Sequence, residues 1–204
     1  MALGCYDKST NLISYSIIYR GSQREVLLFD AGDLKQGSID SKKMDNSPGI
    51  LVPHYDADTS VLGISARGDR VMRHFEIVLE NKDNLGPGKT MFVDVAGLEQ
   101  GSLQQDVAYL PKKYCDVREV ELAKMYRLTY NSVEVIRVSV PRQKKELFQD
   151  ELFPDTIDVE TPSMQAEEFF SGTGSMAAPQ KISLCPSDME SRMLFEKPKD
   201  NVKG

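Results

Sequence analysis

The chain has 204 residues, enough for one domain or two small ones, with 40 % hydrophobic and 27 % charged residues. Its formal net charge of −6 excludes a general nucleic-acid binder, which needs a basic face. No run of about 18 apolar residues occurs, so no membrane span is expected, and Met1–Asp7 lacks the basic-then-apolar layout of a secretion signal.

Residues 1–21 carry a weak signal, although Leu12–Tyr19 is apolar and β-branched, as a strand requires. Glu25–Asp30 is a clear strand closing on Phe29-Asp30, where a WD repeat carries Trp-Asp; the chain has no Trp at all. Residues 31–48 are polar and turn-rich, and Asp45–Gly49 has the composition of a turn. Ile50–Tyr55 is the next strand. Its Pro53 cannot donate to a ladder and must lie at a bulge, at a strand end, or with its nitrogen facing away from a partner.

Ser60–Ala66 and Val71–Val78 follow as strands, joined by a hairpin turn at Arg67-Gly68-Asp69-Arg70. Three strands in about thirty residues with short turns read as an antiparallel meander, the unit of a propeller blade. Residues 80–89 are a polar loop, and Thr90–Val95 and Gln105–Pro111 are further strand candidates. Glu119–Leu128 fits both period two and a helix. The turn at Tyr130-Asn131 and the clear strand Val133–Val140 decide for strand, and Pro141 ends it.

Beyond Pro141 the character changes. From Asp150 to Glu168 there are seven acids and no bases. Pro162–Phe170 offers a short helix capped by Thr161 or Ser163. Gly172–Ser175 breaks the chain, Gln180–Leu184 adds a short strand, and 186–204 is polar and expected to be disordered.

Catalytic and metal signals are weak. The two histidines, His54 and His74, form no cluster with the three scattered cysteines, Cys5, Cys115 and Cys185, which suit reduced thiols in the cytosol. Gly86-Pro87-Gly88-Lys89 lacks the upstream glycine and trailing hydroxyl of a phosphate loop and reads as a turn. Arg67-Gly68-Asp69 is an adhesion tripeptide only on paper. No cofactor and no enzymatic activity are expected.

One stretch is informative as a block: Pro141-Arg142-Gln143-Lys144-Lys145-Glu146-Leu147-Phe148-Gln149-Asp150-Glu151-Leu152-Phe153-Pro154. It resembles the segment by which coronins, actin-regulating WD-repeat propellers, leave their last blade. Further landmarks resemble the same family in order: Asp45–Pro53, Tyr55–Thr59, Ala66–Asp69, Phe75–Ile77, Tyr109–Lys113, Val120–Leu128 and Ala166–Gly172. The absence of a heptad pattern after residue 185 makes the chain similar to the tandem-propeller branch rather than the short, coiled-coil branch.

The resemblance implies an all-β fold: a partial WD-repeat β-propeller of about two antiparallel blades over 22–140, preceded by the tail of another. A mostly irregular extension with a short helix follows at 141–185, then a disordered tail at 186–204. It implies actin filaments as partner, cytoskeletal organisation as function and a cytoplasmic, cytoskeleton-associated location. The alternatives are a non-actin adaptor in vesicle trafficking or ubiquitin-ligase assembly, or a truncated non-functional paralogue. Open blade edges suggest pairing with other propeller chains. Candidate partner contacts are Lys112, Lys113, Arg142, Lys144 and Lys145, set against solvated rim charges. Candidate anchors of the extension are Phe148, Phe153, Pro154 and Phe169.

Overall fold

The computed structural model of the chain describes residues 3–7, 11–18, 22–84, 89–142, 144–172, 174 and 177–191. The Gly86–Gly88 turn and residues 192–204 of the expected tail lie outside these ranges.

The first four strands are β1 (Leu3–Asp7), β2 (Leu12–Ile18), β3 (Gln23–Asp30) and β4 (Ser38–Asn46), paired in chain order as an antiparallel meander. This corrects the reading of residues 31–48 as turn. The residues of β4 conceal their strand because its apolar members, Ile39 and Met44, both fall at bulges. The register slips between Leu28 and Phe29, leaving Ile39 unpaired. It slips again between Gln23 and Glu25, so that Met44 and Asp45 together oppose Arg24. Both side chains still pack against the core, but on positions of opposite parity, which erases the period of two.

A second four-stranded meander follows: β5 (Leu51–Asp56), β6 (Val61–Ala66), β7 (Val71–Ile77) and β8 (Phe92–Glu99). β5 is the edge strand, which is how Pro53 is tolerated. Leu12, Val26 and Leu28 of the first sheet form one core with Leu51, Leu62, Ile64, Phe75, Ile77 and Phe92 of the second. Period two brings each set to one face, and burying these faces against each other is the main stabilising term.

A buried ion network ties the same two sheets. Arg24 is 1 % exposed; its Nε donates to Asp45 Oδ1 at 2.6 Å, an Nη to Asp69 Oδ2 at 2.7 Å, and the other Nη to the Gly49 carbonyl at 3.2 Å. Arg73 adds a bridge to Asp45 at 3.2 Å. Asp69 is therefore committed to Arg24, which disposes of the adhesion reading of Arg67-Gly68-Asp69. Gly68, at φ +86, takes the positive φ of that turn.

The third sheet has three strands, β9 (Asp106–Tyr109), β10 (Glu121–Leu128) and β11 (Val133–Ser139), ordered β11-β10-β9. Among the described residues the larger sheets therefore number two of four strands and one of three. What the sequence offered as the tail of a preceding blade is a whole meander, completed by β1 and β4.

Two compact units result: Met1–Ala108 with Tyr126–Val135, and Tyr109–Met125 with Ile136–Gly204. The chain passes between them along β9, β10 and β11.

The second unit holds the extension. β12 (Leu147–Phe148) and β13 (Thr156–Ile157) precede α1 (Ala166–Ser171), β14 (Lys181–Ile182) and β15 (Glu190–Ser191). β13 pairs with β14, and β12 pairs in parallel with β15. Residues 186–191 are thus ordered where the sequence suggested disorder: Met189 packs against the cluster around Phe148 and Phe153. The helix is capped by Gln165, whose N–H donates to Glu168 Oε2 at 3.4 Å, not by Thr161 or Ser163. It ends at Gly172 in the left-handed region, φ +67.

Candidate functional site

The extension is organised from its backbone outward. Gln149 is buried, and its side-chain amide donates to the carbonyls of Lys144 at 3.0 Å and Leu147 at 2.8 Å, closing the turn that leads into β12. The N–H groups of Leu152 and Phe153 donate to the Gln149 carbonyl. This tight turn brings Phe148 and Phe153 together, ring centroids 6.0 Å apart, at 3 % and 2 % exposure. They share a cluster with Val120, Val117, Leu122, Val140, Leu152 and Leu184. Removing two such rings from water contributes on the order of 3–6 kcal/mol.

Val120 shows how tightly that cluster holds its backbone. It sits at φ +54, a costly conformation for a β-branched residue, yet it is fully buried. Its N–H donates to the Val117 carbonyl and its carbonyl accepts from Val140.

The other two proposed anchors are placed differently. Pro154 is exposed and acts as a chain stop rather than a buried plug. Phe169 is 70 % exposed; α1 buries none of its residues, and the Phe169 ring meets only that of Phe170, edge-on at 5.5 Å, among the ring contacts described. Phe169 is therefore no anchor: six residues of helix present no face to a core.

The basic positions do not form one open patch. Lys112 is 7 % exposed and its Nζ donates to the Leu122 carbonyl at 2.6 Å, which removes it from any partner surface. Lys113 pairs with Glu160 at 2.5 Å and lies 5.2 Å from the Tyr114 ring centre. The hydrogen bond to Glu160 raises its pKa above the ordinary lysine value. Arg142 faces Glu151 at 3.5 Å and Lys145 faces Glu119 at 2.9 Å. Lys144 is exposed. The acids between Asp150 and Glu168 and at Glu119 thus answer much of the charge, a pairing that residue order alone did not disclose.

In the first unit the two histidines share a row. In the register of the second sheet His54 lies opposite Gly63 and Gly63 opposite His74, so both rings stand on one face with only a hydrogen between them. His54 Nε2 is 3.3 Å from Ser65 Oγ. Burial lowers the pKa of both below the usual histidine value; Asp106 works against this at His54, and the Ala96 carbonyl does so at His74. Beside this row an open cleft of about 370 Å³ is lined by Gly49, Ile50, Ser65, Arg67, Gln104 and Asp106.

Among the described residues no group of three or more His, Cys, Asp or Glu side chains is placed to hold a metal ion. No helix among them is long and apolar enough to cross a membrane. Burial raises the pKa of the Cys115 thiol, which disfavours the reactive thiolate.

Comparison with known proteins converges. A family model described as a type of WD40 repeat matches residues 133–176. Human Coronin-7 is 33 % identical over 168 residues, 82 % of this chain and 17 % of that protein, and mouse Coronin-7 is 31 % identical over the same share. The chain thus spans about one sixth of the length of these relatives. The crystal structure of the WD40 domain from Toxoplasma gondii coronin superposes with a TM-score of 0.68 at 23 % identity, covering 86 % of this chain and 42 % of that one; this is a likeness of fold. Meander sheets, the ordered sequence landmarks and these matches agree: the chain belongs to the coronin family of WD-repeat proteins.

Proposed function

We propose that this chain is a non-catalytic interaction module that binds actin filaments and contributes to organising the actin cytoskeleton, in the cytoplasm. The observation that carries this reading is the 33 % identity to Coronin-7 across 82 % of the chain, on a partial propeller. Of the candidate basic side chains, Lys144 and Lys145 are exposed and Arg142 is half-buried, and these would meet a filament, whose surface is acidic. Co-sedimentation of the 204-residue chain with filamentous actin tests the reading. Pelleting that falls with added salt and with Lys144→Ala/Lys145→Ala supports it; no pelleting at low salt overturns it.

The ion pairs at Lys113, Arg142 and Lys145 favour a second reading, a non-actin adaptor in trafficking or ubiquitin-ligase assembly. Surface bases already matched by acids give less long-range attraction to an acidic filament. Absence of actin pelleting from a folded chain would favour this second reading.

A further inference from the structure

The sequence holds two hydroxyl residues followed by proline, Ser47-Pro48 and Thr161-Pro162. Proline has no N–H and a fixed φ, and it drives the residue before it toward extended backbone. A hydroxyl before such a bond is what a proline-directed protein kinase accepts. On paper the two sites are equivalent; the fold separates them.

Ser47 is built in. It follows β4 directly, is half-buried, and its N–H donates to the Ser22 carbonyl at 2.8 Å. Its Oγ accepts the Gly49 N–H at 3.3 Å, and the Gly49 carbonyl in turn accepts from the buried Arg24 guanidinium. Presenting Ser47 to an enzyme would pull on the network that joins the first two sheets. Thr161 lies between β13 and α1 in a stretch without regular structure, and residues 159–163 are all exposed. Its hydroxyl donates to Asp158 Oδ2 at 2.5 Å, and Asp158 Oδ1 accepts the Glu160 N–H at 3.0 Å. Asp158 itself is fixed, its N–H bonded to the Gln180 carbonyl at 2.8 Å. Presenting Thr161 therefore breaks exposed hydrogen bonds to Asp158 and leaves the β13–β14 pair intact.

The same loop carries a cation. Lys113 is half-buried and pairs with Glu160 at 2.5 Å. The Thr161 hydroxyl chiefly, then the Glu160 N–H and more weakly Lys113, hold the Asp158 carboxyl below its ordinary pKa. A phosphate on Thr161 removes the donated hydrogen bond and sets a charge of about −2 beside the Asp158 carboxylate. Asp158 is tethered, so the repulsion is relieved by Lys113, which turns from the Glu160 carboxylate to the more highly charged phosphate.

We propose that Thr161 is a phosphorylation site for a proline-directed kinase and that Lys113 holds the phosphate. In the transfer Thr161 Oγ1 bonds to the terminal phosphorus of a nucleoside triphosphate. The bond from that phosphorus to the bridging oxygen breaks, the nucleoside diphosphate leaves with the electron pair, and the hydroxyl proton passes to the kinase's base. The inference does not depend on filament binding and is tested without actin. The whole chain, incubated with a purified proline-directed kinase and ATP, is expected to gain one phosphate, located at Thr161 by mass spectrometry. Thr161→Val should abolish the gain and Ser47→Ala should leave its rate unchanged. Phosphorus NMR of the labelled chain across pH reads the second ionisation of the phosphate, whose ordinary pKa is about 6. Lys113→Met should raise that value by about one unit, because it removes the cation that favours the dianion. Lys145→Met, a base paired with Glu119, should not move it. No phosphate on the folded chain, labelling of Ser47 as fast as of Thr161, or a phosphate ionisation indifferent to Lys113→Met overturns the proposal.

Discussion

The two compact units hold themselves together by different means. In the first, the paired meanders are joined by an extended apolar interface and by one buried guanidinium that serves Asp45, Asp69 and the Gly49 carbonyl. In the second, short two-residue strands cannot supply much hydrogen-bonded area. Its enclosed groups are two phenylalanine rings in contact and a buried glutamine bonded to two backbone carbonyls. The contrast teaches where each is vulnerable. A sheet interface spreads its energy over many residues, whereas a clasp concentrates it in a few.

The largest expected effect therefore lies in the extension. Phe153→Ala should cost about 3–5 kcal/mol, because an enclosed ring leaves a cavity that two-residue strands cannot close. Chemical denaturation monitored by fluorescence would read it, and a loss below about 1 kcal/mol would show that the clasp is not what holds the segment. Arg24→Met, in the first unit, is expected to cost about 3 kcal/mol, because it strands Asp69 and part of Asp45 without a cation. Replacing Asp69 by Asn as well should recover some of that loss, since the carboxylate no longer needs a partner; an additive double variant would deny the coupling.

Acid should separate the units further. Burial holds His54 and His74 neutral, with folded pKa values below the ordinary histidine value of 6.5. Above pH 6.5 they are neutral folded or unfolded and add no pH dependence. As pH falls below 6.5 the unfolded chain takes up protons that the folded chain refuses, so stability drops, by up to about 1.4 kcal/mol per pH unit for each histidine. Melting of the first unit should fall from pH 7 to pH 5, and His54→Gln/His74→Gln should flatten that slope. An unchanged slope would mean that the rings are charged in the fold. The smallest effect is expected at Phe169→Ser, within about 0.5 kcal/mol, because the ring is already in water. A loss comparable to Phe153→Ala would restore it as an anchor.

The strands rich in apolar and β-branched residues and bounded by turn residues were readable from residue order: β3, β5, β6, β7 and β11 lie close to where those signals put them. β10 was settled by its neighbours, since Ala123 and Met125 left the local pattern ambiguous. β4 was hidden because its bulges shift Ile39 and Met44 to opposite parity. Residues 186–191 were hidden because a polar end gains order only from the apolar cluster it meets. The candidate basic surface was least legible of all. Lysines adjacent in the chain look alike on paper, yet Lys112 spends its ammonium on a backbone carbonyl, Lys113 on Glu160, and Lys145 on Glu119.

By itself, residue order determined the all-β character, the meander, the proline stop at 141 and the family, because turn chemistry, period and motif order are local properties of a chain. Tertiary structure alone decided which charges are answered and which aromatic rings are enclosed. Those are properties of distance between residues far apart in sequence, and nothing within a window of neighbours encodes them.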